Sequence, residues 1–210
     1  MFIGFYNVSV ILTYLGLAFT IFGMYLAFTG NVSTAFMCLI LSGVCDLFDG
    51  AVARSVKRND SEKNFGVQID SLVDVVSYGA FPIVLGIAMG FVSKFNIITY
   101  ILYGICAVIR LAYFNVITLD KKTYLKNKKD EFYFGLPVTN VAIILPIIYS
   151  LKFFFAKNIA VFEKSYQWGM FIIAILFISN FKIKKPSGIW YVICSLAAVI
   201  GIAIISTVMR

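Results

Sequence analysis

Long apolar stretches recur along the whole chain, and they constrain its fold more than any other feature. Of the 210 residues, 61% are hydrophobic and 13% are charged, which is more apolar surface than one soluble domain of this size can bury. Stretches near the roughly 20 residues that cross a bilayer occupy positions 6–28, 32–54, 67–91, 95–117, 137–155, 166–181 and 188–208. We therefore predict an all-α, polytopic transmembrane helix bundle of about seven spans, with six or eight as alternatives, forming a single domain over 1–210.

The basic residues indicate how the chain is oriented in the membrane. Most of the eighteen Lys and Arg residues lie in the connections after the second, fourth and sixth stretches, and such residues accumulate in short cytoplasmic loops. We expect a cell-membrane protein with its N-terminus inside and, with seven spans, its C-terminus outside. No cleavage signal precedes the first stretch, so we expect it to remain a membrane helix. Basic loops beside an anionic leaflet account for the net charge of +8 without a nucleic-acid partner.

The residue types available for chemistry are restricted. The chain has no histidine, so acid–base chemistry near neutral pH must use a carboxylate, lysine, tyrosine or cysteine. All four cysteines lie inside apolar stretches without a CxxC spacing, and we expect them to pack as small hydrophobic residues. The carboxylates are therefore the first candidates for a site.

Four of the ten acidic residues lie inside or at the ends of two consecutive apolar stretches, where a carboxylate is costly. Asp46 and Asp49 are three residues apart, and Asp70 and Asp74 are four apart, so each pair projects from one helical face. One helix runs inward and the next outward, which puts both pairs near the same cytoplasmic surface. Four such carboxylates repel one another unless hard divalent cations compensate. The spacing predicts a site for two divalent ions; the alternative is that each Asp is a capping or loop residue.

The pattern D-x-x-D-G-x-x-A-R, followed by G-x-x-x-D-x-x-x-D, resembles the signature of the CDP-alcohol phosphotransferase family. The chain fits all of its fixed positions, which are Asp46, Asp49, Gly50, Ala53, Arg54, Gly66, Asp70 and Asp74. One departure is the connection 55–65, which has eleven residues where the commonest form has eight; we expect a basic surface loop there to absorb the difference. The Pro-Asn pair that many members carry before a Thr is also missing, since Ser9 and Val10 stand ahead of Thr13.

Further motifs resemble the phosphatidylserine synthase branch of that family. They are Asp70-Ser71-Leu72-x-Asp74, Ser77-Tyr78-Gly79 with Pro82, 110–115 (RLAYFN) and Gly135-Leu136-Pro137. The resemblance implies transfer of a phosphatidyl group from CDP-diacylglycerol to the hydroxyl of L-serine, with release of CMP and formation of phosphatidylserine. It also implies a cofactor of two divalent ions, Mg²⁺ or Mn²⁺, and a homodimer. Composition and the basic loops indicate a bilayer environment and an active site that faces the cytoplasm.

The resemblance also assigns roles to individual residues. It implies that Asp46, Asp49 and Asp70 are metal ligands, and that Asp74 is the general base and also touches a metal. The residues that it assigns to the nucleotide and its phosphates are Gly50, Ala53, Arg54 and Gly66. The alternatives are small-residue helix packing for the three small residues and an interfacial side chain for the arginine.

Two polar residues of the fourth stretch are candidate substrate ligands. Arg110 lies about seven residues inside the cytoplasmic end, at the depth of the aspartates, and a buried guanidinium needs an anionic partner. We expect it to bind a phosphate or the serine carboxylate; the alternative is structural pairing with an aspartate. Asn115 is either a substrate contact or polar packing. A separate motif, Gly86-x-x-x-Gly90, fits helix packing in a homodimer.

Two other functions remain open from the sequence. Within the family, the acceptor is serine or another alcohol such as glycerol phosphate or inositol phosphate, because the eight signature positions do not distinguish them. Outside the family, an ion-coupled transporter also carries charged residues within its spans. A transporter is expected to have polar or broken helices near the midplane, whereas the charges here cluster towards one face.

Overall fold

In a computed structural model, the chain folds as a bundle of α-helices. The structure describes residues 4, 8–56, 58–119, 132–153, 159–184, 198–199, 201–203 and 206. The helices are α1 (Val8–Phe28), α2 (Val32–Ser55), α3 (Asp60–Asp74), α4 (Phe81–Ala88), α5 (Lys94–Leu119), α6 (Val141–Ser150) and α7 (Ile159–Ile178). A π-helical segment, Val75–Ala80, joins α3 to α4, and the 3₁₀ turns Val138–Asn140 and Leu151–Phe153 flank α6.

Five helical segments are long and apolar enough to cross a membrane. They are Val10–Phe28, Val32–Gly50, Asp60–Ala88, Lys94–Thr118 and Ile159–Ile178. These segments correspond to the first four and the sixth of the predicted spans. Large apolar side chains such as Ile11, Phe22 and Ile101 are more than half exposed, as on helices whose outer faces meet lipid rather than water. The predicted fold class, a polytopic membrane helix bundle, is confirmed.

The later spans differ from the prediction. The apolar helix at the fifth position is shorter, Val138–Ser150, and contains Pro146, which removes a backbone donor from its interior. The sixth begins at Ile159 rather than at 166 and so reaches 20 residues. The seventh predicted span, 188–208, lies mostly outside the described residues, although 198–199, 201–203 and 206 are helical.

The connection between α2 and α3 is also shorter than predicted. The expected surface loop 55–65 is wrong from residue 60 onward, because α3 begins at Asp60. A capping box fixes this start: the Asn59 side chain accepts from the Glu62 backbone N–H at 2.8 Å, and the Glu62 carboxylate accepts from the Asn59 N–H at 2.8 Å. Reciprocal capping of this kind satisfies two backbone donors that would otherwise be orphaned.

The π-helical segment depends on tyrosines from neighbouring helices. Its wide turn is closed by the Phe81 N–H, which donates to the Val76 carbonyl. Pro82 has no N–H to offer the carbonyl of Tyr78, four residues earlier, and the buried Tyr103 hydroxyl donates to that carbonyl at 2.6 Å. The Tyr166 hydroxyl in turn donates to the Pro82 carbonyl at 2.7 Å. Side chains from α5 and α7 thus hold the chain immediately after Asp74.

A short antiparallel ribbon was not predicted. Strand β1 (Phe132–Phe134) pairs with β2 (Lys182–Lys184), with Tyr133 opposite Ile183. At its end, Gly135 has φ 71°, and an added Cβ would lie 2.9 Å from the Phe177 carbonyl oxygen; only glycine fits that approach and that backbone conformation. The ribbon therefore ties the segment before α6 to the end of α7.

The two glycines of the Gly86-x-x-x-Gly90 motif have roles within one chain. A Cβ at Gly86 would collide with the Tyr100 side chain of α5. Gly90 has φ 82° and closes the turn after α4, where its N–H donates to the Ile87 carbonyl at 2.9 Å. The motif is thus explained by helix packing and a turn inside the bundle.

Candidate active site

Three aspartates converge between α2 and α3. Asp46 and Asp49 lie on α2 and Asp70 lies on α3, and each offers one carboxylate oxygen within 4.8 Å of the others. Helix α1 packs against both α2 and α3, and only positions 56–59 separate these two helices in the sequence. The convergence needs both helices, because the pair on α2 alone supplies only two of the three ligand atoms.

Asp74 lies beside this triad. It is the last residue of α3 and is 8% exposed. It lines a small cavity with Asp46 and Asp49, but it is not one of the three residues whose oxygens converge. The structure therefore groups the four predicted aspartates as three clustered carboxylates with a fourth on the cavity wall.

The charge arrangement favours a cation. Carboxylates this close repel one another, and the burial of Asp49 and Asp74 strengthens the repulsion because water screens them less. The donor atoms that converge are all carboxylate oxygens, which suit hard divalent ions such as Mg²⁺ or Mn²⁺. The residues present therefore fit a divalent metal centre.

Hydroxyl groups form another part of the cavity wall, and the sequence prediction missed them. The Thr13 hydroxyl of α1 donates to Asp49 Oδ2 at 3.1 Å, and Ser42 and Tyr78 also line the cavity. Deeper in the bundle, the Thr20 hydroxyl lies 2.7 Å from that of Ser77 and 3.0 Å from that of Ser42. A signal was present: Ser42 precedes Asp46 by four residues, which places both on one face of α2.

The residues predicted to bind the nucleotide lie on the same two helices. Gly50 and Ala53 are partly buried positions of α2, within about a turn and a half of Asp49. Arg54 belongs to α2, but its side chain lies outside the described part of the structure. Gly66 is one turn before Asp70 on α3, and a Cβ there would lie 3.1 Å from Arg58 Nη1.

The two candidate substrate residues of α5 are both engaged with neighbouring segments. Arg110 is 6% exposed; its Nε donates to the Leu136 carbonyl at 3.3 Å, and its guanidinium carbon lies 5.6 Å from the Phe114 ring centroid. Asn115 accepts a hydrogen bond of 2.7 Å from Ser71, the neighbour of Asp70. Asn115 therefore joins α5 to the helix that carries two of the aspartates.

Three of the four cysteines are described, and all three are buried free thiols: Cys38, Cys45 and Cys106. Their predicted role as packing residues is confirmed at these positions. Cys194 lies outside the described residues.

Comparison with known proteins decides the family. Residues 6–179, which include every residue of the candidate site, match the family model described as CDP-alcohol phosphatidyltransferase. The chain belongs to this family. Members of the family generally use divalent metals, which agrees with the oxygen-only donor set of the aspartates.

Several relatives carry more specific names. The chain is 34% identical over 115 residues to the CDP-diacylglycerol--serine O-phosphatidyltransferase of Saccharomyces cerevisiae, covering 54% of this chain and 41% of the relative. It is 29% identical over 164 residues to the archaetidylserine synthase of Methanothermobacter thermautotrophicus, covering 78% and 63%. It is 33% identical over 130 residues to the CDP-diacylglycerol--serine O-phosphatidyltransferase of Mycobacterium tuberculosis, covering 59% and 42%. The chain thus spans between two fifths and two thirds of the length of these relatives.

Proposed function

We propose that this protein transfers a phosphatidyl group from CDP-diacylglycerol to the hydroxyl of L-serine, releasing CMP and forming phosphatidylserine. The observation that carries the proposal is the convergence of Asp46, Asp49 and Asp70 within 4.8 Å in a member of this family. The names of the yeast and mycobacterial relatives support serine as the acceptor.

In this proposal, Asp46, Asp49 and Asp70 hold two divalent ions, Mg²⁺ or Mn²⁺, with Asp74 as a further ligand. Bound ions of this kind neutralise the charge that develops on the transferring and leaving phosphates. The protein's own task is mainly to position the two substrates in a site whose walls are already fixed by packing. The hydrogen bond from Thr13 to Asp49 supports this role because it restricts the rotation of a ligand carboxylate.

Asp74 is the proposed general base. The serine hydroxyl oxygen forms a bond to the phosphorus that carries the lipid, the bond from that phosphorus to the bridging oxygen of CMP breaks, and the hydroxyl proton passes to Asp74. The position of Asp74 on the cavity wall, beside the converging triad, supports this role. With no histidine in the chain, a carboxylate is the natural base.

The remaining substrate contacts are assigned by the family signature and by burial. Gly50, Ala53, Arg54 and Gly66 bind the nucleotide and its phosphates. Arg110 and Asn115 bind the serine carboxylate or a phosphate, which fits a guanidinium that is 6% exposed and an amide tied to the neighbour of Asp70.

The proposed setting is the cell membrane, with the site open to the cytoplasm. The basic residues of the connections next to the site support this orientation. The proposed state is a homodimer, supported by the family resemblance, in which each single-domain protomer carries its own complete set of aspartates.

The test is acceptor-dependent release of CMP. Purified protein in nanodiscs is given CDP-diacylglycerol, Mn²⁺ or Mg²⁺, and one acceptor at a time: L-serine, glycerol phosphate or inositol phosphate. We expect CMP release and a phosphatidylserine product with serine alone. Release that requires inositol phosphate or glycerol phosphate and ignores serine would overturn the substrate assignment.

The base assignment needs its own variant. Asp74→Asn is expected to lower turnover with serine by about a hundredfold or more while CMP still binds in the presence of Mn²⁺. Equal loss of turnover and of metal-dependent CMP binding would show that Asp74 acts only as a metal ligand and not as the base.

A further inference from the structure

Arg58 has an unusual environment for a residue in a cytoplasmic connection. It lies between α2 and α3, and its side chain is half-buried rather than solvated. Its Nε is fully buried and has no hydrogen-bond partner among the described residues. A buried guanidinium donor without an acceptor costs free energy, so the arrangement is explained if a ligand supplies the acceptor.

The guanidinium lies over the face of α3 that carries the site. Its Nη1 would be 3.1 Å from a Cβ at Gly66, so the missing side chain of Gly66 gives it room. Gly66 and Asp70 are four residues apart, on one helical face, and about 6 Å apart along the axis. Arg58 therefore lies about one turn beyond the carboxylates, on the side of the helix turn.

The charges of the neighbouring residues do not account for Arg58. The acidic residues at the start of α3 are already engaged: Asp60 pairs with Lys63 at 3.0 Å, and Glu62 accepts from the Asn59 N–H. The four aspartates need cations of their own, and these compete for the same carboxylate oxygens. A substrate anion that extends from the metal centre towards the helix turn would meet Arg58 directly.

We infer that Arg58, which is not one of the fixed signature positions, binds a phosphate group of the nucleotide part of the substrate. The inference rests on the proposed function for the identity of that nucleotide. A guanidinium presents several donors in a planar fork, which matches two oxygens of a phosphate. Arg58 thus supplies affinity for the nucleotide at the outer edge of the site, whereas the carboxylates act at the transferring phosphorus.

The experiment compares Arg58 variants with a charge-matched control. Arg58→Ala, Arg58→Gln and Arg58→Lys are measured beside Lys63→Ala, which also removes one positive charge from the start of α3 but is exposed and paired with Asp60. Binding of CMP and of CDP is measured by titration calorimetry with Mn²⁺, and the KM for CDP-diacylglycerol is measured in nanodiscs. The titrations report on the free nucleotide, whereas the KM reports on the lipid-linked diphosphate.

We expect Arg58→Ala and Arg58→Gln to weaken CDP binding and raise the KM for CDP-diacylglycerol roughly tenfold or more. Arg58→Lys, which keeps the charge but not the fork, should lie between these variants and the wild type. Lys63→Ala should stay within about twofold of the wild type, because an exposed ion pair contributes little. Because Arg58 acts on binding, Arg58→Gln should raise the KM for CDP-diacylglycerol by a larger factor than it lowers kcat.

Three results would overturn the inference. The first is equal CDP binding and KM in Arg58→Gln and Lys63→Ala. The second is a loss that follows the anionic lipid content of the nanodisc with no change in CDP binding, which would assign Arg58 to the membrane surface. The third is a lower thermal midpoint in all three Arg58 variants with unchanged nucleotide affinity, which would make the role structural. Calorimetry needs no acceptor, so a wild-type protein that binds CDP but ignores serine would disprove the proposed function and leave this test intact.

Discussion

Carboxylates at the two ends of the bundle have opposite surroundings. At the end where α4 meets α5, Glu163 accepts a hydrogen bond of 2.6 Å from the Asn96 amide, and Asn96 is 1% exposed. At the end where α2 meets α3, the carboxylates of Asp46, Asp49 and Asp70 converge on one another. A carboxylate that accepts a hydrogen bond from a buried donor stabilises the fold. Carboxylates that converge repel one another and destabilise the protein unless a cation binds between them. The first is a structural polar contact, and the second is a candidate metal site.

The largest expected effect comes from removing one of the converging charges. Asp70→Asn should lower CMP release by on the order of a thousandfold, because it removes a proposed metal ligand from the reacting centre. The same variant should melt at an equal or higher temperature without metal, since it relieves repulsion between neighbouring carboxylates. Glu163→Gln is the matched control at the other end and should keep CMP release within about twofold. A comparable loss of CMP release in Asp70→Asn and Glu163→Gln would show that the two ends of the bundle do not differ in function.

Metal binding should raise the thermal stability only of proteins whose aspartate cluster is intact. Mn²⁺ at a hundredfold excess over its dissociation constant should stabilise the wild type by about 2.7 kcal/mol, visible as a rise in the thermal midpoint. Glu163→Gln should show the same rise, and Asp49→Asn should show little or none. Chelation by EDTA should abolish CMP release, and added Mg²⁺ or Mn²⁺ should restore it. A rise that persists in Asp49→Asn would place the metal elsewhere.

The free energy of unfolding should fall when the hydrogen bond between Asn96 and Glu163 is removed. Asn96→Ala leaves the Glu163 carboxylate without the buried donor that it has now, so we expect a loss of about 1.5 to 3 kcal/mol in the free energy of unfolding. Turnover per folded molecule should be unchanged. Thermal unfolding and CMP release, measured on the same preparation, check both statements. Reduced turnover in fully folded protein would show that the contact between Asn96 and Glu163 affects the candidate site.

The smallest effect is expected at the Thr13 hydroxyl, which donates to the proposed metal ligand Asp49. Thr13→Val removes the donor that holds Asp49 at 3.1 Å and should lower CMP release about tenfold, as expected for a hydrogen bond to a charged group. Thr13→Ser keeps the hydroxyl and should retain most of the activity. If Thr13→Ser were as impaired as Thr13→Val, the methyl group and its packing would be responsible instead of the hydrogen bond.

Much of the fold and part of the site follow from sequence periodicity. Hydropathy finds the long spans because a bilayer sets their length. The intervals of three and four residues place each pair of aspartates on one face. Neither pattern contains information about which residues of distant helices touch. The contacts of Thr13 with Asp49, and of Thr20 with Ser77, join positions 36 and 57 residues apart, so the hydroxyl part of the cavity was not predicted.

The missed boundaries have local causes. The start of α3 was placed too late because hydropathy is low over Asp60 to Asn64, although the Asn59 and Glu62 capping pair marks the beginning of the helix. The fifth span was predicted as one long helix, but Pro146 and the flanking 3₁₀ turns belong to a shorter one. The three-residue strands of the ribbon are too short for an alternating pattern to be recognised.

The π-helical segment after Asp74 determines the direction in which the aspartates of α3 face. A π-turn holds one residue more than an α-turn, so deleting a single residue within Val75–Ala80 would allow the chain to continue as an ordinary α-helix. If the same six residues wound as a regular α-helix instead, the carboxylates of Asp70 and Asp74 would be rotated by about 100° relative to Phe81 and Leu85, which anchor the helix in the core. The number of residues in this segment and the width of its turn must therefore match for the two carboxylates to face the candidate site.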